Sequence, residues 1–247
     1  DLLGIEPSRR VLRAYPNPFP KENRRVLVNA NVTTSYDRRG PSMYARIARE
    51  LMAVVAAVPG NVAAFFPSYE ILASVAQGVR TVATGKQLIV EKQEWGAAER
   101  EKVLGSLQEV RAHGGGLLMG VQGGSLSEGV DYAGNLLSAV VIVGFPFSPP
   151  TLEVEALKAY YIRKFGPERG HEYAYVYPAI NKILQAAGRC IRSEQDRAVV
   201  VLLESRLLDP RYARCFPGDF PLTPMSELGN EVRTFFYGPR PSDAPCS

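Results

Sequence analysis

The chain has 247 residues, of which 46% are hydrophobic and 22% are charged, a balance typical of a globular protein with one large core or two small ones. No apolar run approaches the roughly 20 residues of a membrane-spanning helix. The first residues, DLLGIEPSRR, have no basic lead before an apolar stretch, so we expect neither a membrane span nor a signal peptide. The net charge of +4 permits nucleic-acid contact without requiring it.

The cysteines and histidines give no sign of a metal site or a disulfide framework. Cys190, Cys215 and Cys246 lie 25 and 31 residues apart without a CxxC pair, and their number is odd. We therefore expect free thiols in a reducing cytoplasm. His113 and His171 have no partners at the spacing of metal ligands, so we assign them no role.

Strand-like and helix-like segments alternate after a proline-rich start, and residues 1–25 predict an extended lead-in. In chain order there follow a strand at 25–32, a helix at 42–58, a strand at 62–66, a helix from Tyr69, a strand at 87–91, a helix at 96–112, strands at 116–122 and 139–145, helices at 151–165 and 173–192, a strand at 197–204 and a short helix at 226–236. Ser68 is placed to cap the helix from Tyr69. The alternation predicts an α/β fold, a mostly parallel sheet with helices on both faces, and ligands bind at the carboxyl ends of such strands.

The stretch QAAGRCIRSEQDR, from Gln185 to Arg197, concentrates polar groups at the end of the predicted helix 173–192. At 100° per residue, one face carries Ile180, Ile183, Leu184, Ala187 and Ile191, and the opposite face carries Gln185, Gly188, Arg189 and Arg192. A glycine inside a helix costs about 1 kcal/mol relative to alanine, which suggests that something approaches the backbone there. Arginine forks match phosphate oxygens. The alternative is a solvated helix face.

Two further segments follow predicted strands. SLSEGVDYAG, residues 125–134, combines glycines that allow a ligand close to the backbone with the acids Glu128 and Asp131. FFPSYE, residues 65–70, places a hydroxyl and an aromatic ring at a helix start, where phosphates bind and bases stack. The alternatives are a plain glycine-rich loop and an ordinary helix cap.

Several catalytic signatures are absent from the sequence. HGGG at 113–116 resembles an esterase oxyanion motif, but no GxSxG nucleophile elbow accompanies it. Thr84, Gly85 and Lys86 do not complete the phosphate-binding pattern GxxxxGK[ST]. The chain therefore has no phosphate-binding loop of its own.

The order FFPSY, SEGVD, QAAGRCIR resembles the fourth, fifth and sixth motifs of superfamily 2 helicases, specifically the XPD-type DNA-repair helicases and their bacterial DinG relatives. The resemblance extends from about Leu2 to Arg206, and GRCIRSEQD is closer to the archaeal members. It implies the second of two RecA-like motor domains at 26–216, after a lead-in at 1–25 from a missing first domain and before a C-terminal extension at 217–247 with a disordered tail.

The resemblance also implies roles for individual residues. Arg189, Arg192 and Gln185 match catalytic positions, with the arginines reaching the terminal phosphates of ATP. Gly129, Asp131, Glu128 and Gly188 match positions beside the nucleotide. The side facing single-stranded DNA would hold Ser68, Tyr69, Thr33, Thr34, Arg38, Gln122, Ser125 and Ser127. No metal ligand is implied in this chain.

The function implied is that of an ATP-dependent 5′–3′ DNA helicase in DNA repair, inactive as this chain alone. ATP and Mg²⁺ would be held mainly by the first domain, which would also carry a 4Fe–4S cluster. The partners would be single-stranded DNA, the first motor domain and repair proteins, with no membrane. The location would be the nucleoid region of an archaeal cytoplasm, or the nucleus of a eukaryote. A non-catalytic module that binds nucleic acid or protein is the alternative, and a small-molecule α/β enzyme is a third reading, which lacks any nucleophile–base pair.

Overall fold

The computed structural model describes residues 5–9, 11, 13, 15, 18–80 and 85–239. Its strands are β1 (Arg24–Asn29), β2 (Asn61–Phe66), β3 (Gln87–Val90), β4 (Gly116–Val121), β5 (Leu137–Val143), β6 (Ala198–Leu203) and β7 (Thr223–Met225). They form one sheet in the order β3-β4-β2-β5-β6-β1-β7, and every pair of neighbours is parallel. The predicted α/β fold is confirmed.

Helices cover both faces of this sheet. They are α1 (Pro41–Ala57), α2 (Tyr69–Arg80), α3 (Ala97–Arg111), α4 (Ser125–Glu128), α5 (Leu152–Phe165), α6 (Pro167–His171), α7 (Tyr177–Ala187), α8 (Pro210–Ala213) and α9 (Leu228–Tyr237). The core on one face includes α1, α2 and α9, and the core on the other includes α3 and α7. Both faces of the central strands are therefore buried, which explains their continuous apolar sequences.

The second helix begins as the sequence predicts. The Ile71 N–H donates to the Ser68 hydroxyl oxygen at 3.3 Å, which satisfies one of the free N–H groups in the first turn of α2. Ser68 is therefore the cap of this helix, and it fixes the path of the chain as it leaves β2.

The prediction of one helix over 173–192 is wrong at both ends. A π-helical turn occupies Glu172–Val176 and ends two residues before Pro178, whose nitrogen cannot donate a hydrogen bond and whose ring disfavours a regular α-turn. At the other end, α7 stops at Ala187, and Gly188 is its cap with φ −69° and ψ −4°. Asp196 then accepts from the Arg192 N–H at 2.8 Å, which holds the chain in a loop before β6.

The segment after residue 217 packs against the same sheet. Its strand β7 pairs with β1, and Leu228, Val232 and Phe235 on α9 are buried in the core that includes α1. Residues on both sides of position 216 thus contribute to one sheet and one core, and β1 begins at Arg24. The domain boundaries at 25/26 and 216/217 stay predictions. The predicted disordered tail, 240–247, lies outside the described residues.

We expect Leu228→Ala to lower the free energy of unfolding by about 2–5 kcal/mol, because Leu228 is 1% exposed in a packed core. Leu152→Ala is the matched control, since Leu152 is 88% exposed on α5 and its truncation should change stability by less than about 0.5 kcal/mol. Urea unfolding followed by circular dichroism measures both. An unchanged midpoint for Leu228→Ala would show that α9 is a separate appendage.

Candidate functional site

The chain after β4 is held at its start by a buried carboxylate. Glu91 directly follows β3, is 3% exposed, and accepts from the Val121 N–H at 2.8 Å and from the Ser125 hydroxyl at 3.3 Å. Burial raises the pKa of Glu91, although these hydrogen bonds act in the opposite direction. Glu91 thus ties the ends of β3 and β4 to the first residue of α4.

The other end of α4 is held by Arg189. Its guanidinium donates to the carbonyl oxygens of Ser127 at 2.7 Å, Val130 at 2.8 Å and Glu128 at 2.5 Å. The last carbonyls of a helix lack partners within it, and a cation there is favourable. Arg189, expected from the sequence to reach the phosphates of ATP, instead joins SEGVD to QAAGRCIR in this structure through three hydrogen bonds to the backbone.

Arg192 and Asp131 form an ion pair on the surface beside this anchor. Their side chains are 39% and 70% exposed, respectively. Gly129 lies between Asp131 and α4, and a Cβ there would be 2.9 Å from the Ser125 carbonyl oxygen, so only glycine fits without a shift. A guanidinium that is charged, exposed and fixed at its backbone can exchange a carboxylate for an oxyanion of a ligand.

The polar residues predicted to share one helix face with Gln185 do not all lie on a helix. Gln185 is exposed on the last turn of α7, but Gly188, Arg189 and Arg192 lie past the end of that helix. The inference that Gly188 sits inside a helix is therefore wrong, because it is the helix cap. Cys190 is 2% exposed, and burial raises the pKa of its thiol to about 12, so it points inward as expected.

A second buried carboxylate organises the carboxyl ends of β1 and β6. Glu204 accepts from the Thr33 hydroxyl at 2.5 Å and from both the N–H and the hydroxyl of Thr34, at 2.9 Å and 3.0 Å. The Arg206 guanidinium donates to the same carboxylate at 2.8 Å and 2.9 Å. Burial alone would raise the pKa of Glu204, but Arg206 and the threonines outweigh it and lower that pKa.

Four of the residues predicted on the DNA side are buried, and their polar side-chain groups make hydrogen bonds within the protein. Thr33 and Thr34 are bound to Glu204, as described above. Gln122 is 6% exposed, and its amide donates to the Val143 carbonyl at 2.8 Å. Ser127 is 1% exposed, and its hydroxyl donates to the Gly124 carbonyl at 3.0 Å. These buried groups hold the loops at the carboxyl edge of the sheet through hydrogen bonds inside the protein.

The remaining residues predicted on the DNA side keep some exposure at the ends of three strands. Arg38 is exposed after β1, Ser68 and Tyr69 are half-buried after β2, and Ser125 is half-buried after β4. Burial, with the charges of Glu91 and Glu94, raises the pKa of Tyr69. The carboxyl ends of neighbouring parallel strands meet at one edge, so these side chains share that edge of the sheet.

Sequence reasoning missed the residues that hold this edge together: Glu91, Glu204 and Arg206. Each of them follows a strand directly or within three residues. A charged residue at the end of an apolar strand was therefore the available signal. No motif marked them, because Glu91 and Glu204 bind groups that are distant in sequence, and Arg206 acts by pairing with Glu204.

The described part of the chain carries neither a metal-binding nor a membrane-spanning signature. No three His, Cys, Asp or Glu side chains in it converge into a group that could hold a metal ion. Within those same residues, no helix combines the length and the apolar character needed to cross a bilayer.

Comparison with known proteins finds one family over most of the chain. The family described as the helicase C-terminal domain matches residues 51–223. Among curated relatives, the ATP-dependent DNA helicase XPD of Sulfolobus acidocaldarius is 31% identical over 72% of this chain and 31% of its own length. The ATP-dependent DNA helicase DDX11 of Mus musculus is 30% identical over 85% of this chain and 25% of its own length.

Solved structures agree with the sequence relatives. The chain named XPD helicase superposes with a TM-score of 0.67 at 27% identity, covering 82% of this chain and 35% of that one. A second chain, named XPD apo, gives a TM-score of 0.65 at 26% identity, covering 81% of this chain and 39% of that one. This chain thus spans roughly a quarter to two-fifths of the proteins that it matches here.

We expect Arg189→Ala to loosen α4, because three carbonyls lose charged donors that are worth about 1.5–3 kcal/mol each. Amide hydrogen exchange should become roughly tenfold faster or more at Ser127, Glu128 and Gly129, whose N–H groups are bonded within this turn. Mass spectrometry of the exchanged peptides measures it. Arg192→Ala is the control, since its exposed ion pair supports no backbone bond of α4, and equal exchange in the two variants would contradict the anchor.

Proposed function

Because the chain belongs to the helicase C-terminal domain family of the XPD and DinG type, we propose that it is the second motor domain of an ATP-dependent DNA helicase. The observation that carries this proposal is the junction of its two motifs, in which Arg189 anchors residues 127–130 and leaves Arg192 beside Asp131 on the surface. The motor would combine this surface with a first domain that supplies the phosphate-binding loop.

Arg192 is the residue that we assign to the terminal phosphate of ATP. Its guanidinium is exposed and already paired with a carboxylate, so closing a cleft exchanges one anion for another at little cost of desolvation. Arg189 has three of its nitrogens bound to carbonyl oxygens. We assign Arg189 a positioning role, in which it keeps Asp131 next to Arg192. We place Gln185 on the same surface.

The residues of this chain fit only part of an ATP site. Asp131 offers an acceptor for a ribose hydroxyl, and Gly129 allows a ligand close to the backbone. Mg²⁺ would neutralise charge on the transferred phosphate, held by acidic residues of the first domain. A 4Fe–4S cluster belongs to the same proposal for the first domain, outside this chain.

The DNA side of the motor is the carboxyl edge of the sheet, with Arg38, Ser68, Tyr69 and Ser125. We propose that closing and opening of the nucleotide cleft moves this edge relative to the first domain. Single-stranded DNA that spans both domains is then drawn through from 5′ to 3′. A role in DNA repair, with repair proteins as partners, completes the proposal.

The test uses the protein that carries both motor domains. We expect Arg192→Ala to lower the rate of DNA-stimulated ATP hydrolysis by roughly 10³–10⁵-fold, the range measured for arginine fingers, while binding of a fluorescent ATP analogue is retained. Arg211→Ala is the matched control, because Arg211 is likewise an exposed arginine paired with a carboxylate, that of Asp209, and lies outside both motifs. Wild-type turnover in Arg192→Ala would refute the assignment of Arg192.

A further inference from the structure

Tyr36 is an aromatic side chain that is almost fully exposed at the carboxyl edge of the sheet. Its side chain is 87% exposed, and it lies in a 3₁₀ turn, Tyr36–Arg38, shortly after β1. The other strongly exposed aromatic side chains of the described residues lie in the lead-in or on helices, such as Tyr15, Tyr160 and Tyr237. Tyr36 alone among them follows a strand at this edge.

The loop that carries Tyr36 is fixed to the buried carboxylate of Glu204. The Ser35 N–H donates to the Thr33 hydroxyl oxygen at 3.1 Å, and that hydroxyl donates to Glu204 at 2.5 Å. Thr34 binds the same carboxylate through its backbone and its side chain. An exposed ring on an anchored loop loses little conformational freedom when a ligand covers it, so it is preorganised for binding.

A guanidinium lies over one face of the Tyr36 ring. The Arg39 guanidinium carbon lies 5.7 Å from the ring centroid, and Arg39 is itself held by a hydrogen bond from its Nε to the Thr34 carbonyl at 2.9 Å. With the side chain 87% exposed, the opposite face of the ring is open to solvent. A flat aromatic surface backed by a cation has the shape and electrostatics that a nucleobase needs for stacking.

The charges around the ring suit a polyanion. Arg38 is exposed next to Tyr36, and Arg39 backs the ring, as described above. The one acid of the turn, Asp37, accepts a hydrogen bond from the Ser35 hydroxyl. Two cations therefore flank the ring and leave a net positive turn, which is the combination of aromatic and basic groups found on surfaces that bind single strands.

We propose that Tyr36 stacks on a base of single-stranded DNA, with Arg38 on the adjacent phosphate. This inference deepens the proposed function and rests on it, since it names how the carboxyl edge grips the strand. The recognition is of the π-face of a base and not of its hydrogen-bonding edge, so it tolerates any sequence. A protein surface covering the ring is the competing occupant, and it predicts no dependence on bases.

The experiment measures binding of labelled oligothymidylates to the protein that carries both motor domains, by fluorescence anisotropy. One nucleotide at a time is replaced by an abasic site. For the wild type, one abasic position should weaken binding by roughly 5- to 150-fold, the range for loss of one base–aromatic stack. Tyr36→Ala should weaken binding of the intact oligonucleotide by the same factor and lose its sensitivity to that abasic position.

Two variants control for the side chain and the place. Tyr36→Phe keeps the ring and should bind as the wild type does. Tyr237→Ala removes a ring that is 66% exposed at the end of α9, near the amino end of β6, where Arg197 donates to the Phe235 carbonyl. The Tyr237→Ala variant should bind DNA as tightly as the wild type does.

The outcomes separate this inference from the function on which it rests. Suppose that the wild type binds single strands and that Tyr36→Ala either binds them equally well or weakens binding by the same factor for the intact and for every abasic oligonucleotide. Stacking at Tyr36 is then refuted, and the helicase proposal stands. If the wild type binds no single-stranded DNA, the proposed function fails, and the stacking inference fails with it.

Discussion

The arrangement of the site depends on the guanidinium of Arg189. The helix α4 has four residues, too few to be stable alone, because helix nucleation is unfavourable until several turns have formed. Arg189 supplies donors to its unpaired carbonyls from a position 59 to 62 residues further along the chain. Without that anchor, neither Gly129 nor Asp131 would have a defined place relative to Arg192.

Two buried glutamates play parallel parts at the carboxyl edge, and their different surroundings give them opposite properties. Glu204 has a guanidinium and two threonines around it, so its charge is compensated and its pKa is lowered. Within the described residues, the hydrogen-bond donors of Glu91 are a hydroxyl and backbone N–H groups but no cation, and burial raises its pKa. The first anchors the loop after β1 and the second anchors the loop after β4, so both loops are held from inside the protein.

The central sheet was predictable from sequence because each buried strand is a continuous apolar run. The strand β7 was missed because Thr223–Met225 is short and contains a proline. A proline is tolerated in a strand at the edge of a sheet, but in a sequence it predicts the end of a strand. The end of α7 was missed because the helical spacing of hydrophobic residues continues to Ile191. The Asp196 carboxylate holds this stretch in a loop by accepting from the N–H groups of Arg192 and Ser193, and hydrophobic spacing gives no sign of these bonds. Motif order singled out two segments that the structure brings into contact, but it cannot tell an exposed threonine from one bound to a buried carboxylate.

The π-helical turn before α7 has a consequence for how this region tolerates change in chain length. A π turn holds one residue more than an α turn, so the extra residue in Glu172–Val176 is absorbed without rotating α7 relative to the helix Pro167–His171. In a regular α-helix, one added residue would rotate everything after it by about 100°, which would carry the buried Ile180 and Ile183 away from the core. Removing one residue from the π turn would restore α-helical geometry and leave both isoleucines in place. A change of one residue in this segment therefore stays local, as it would in a surface loop.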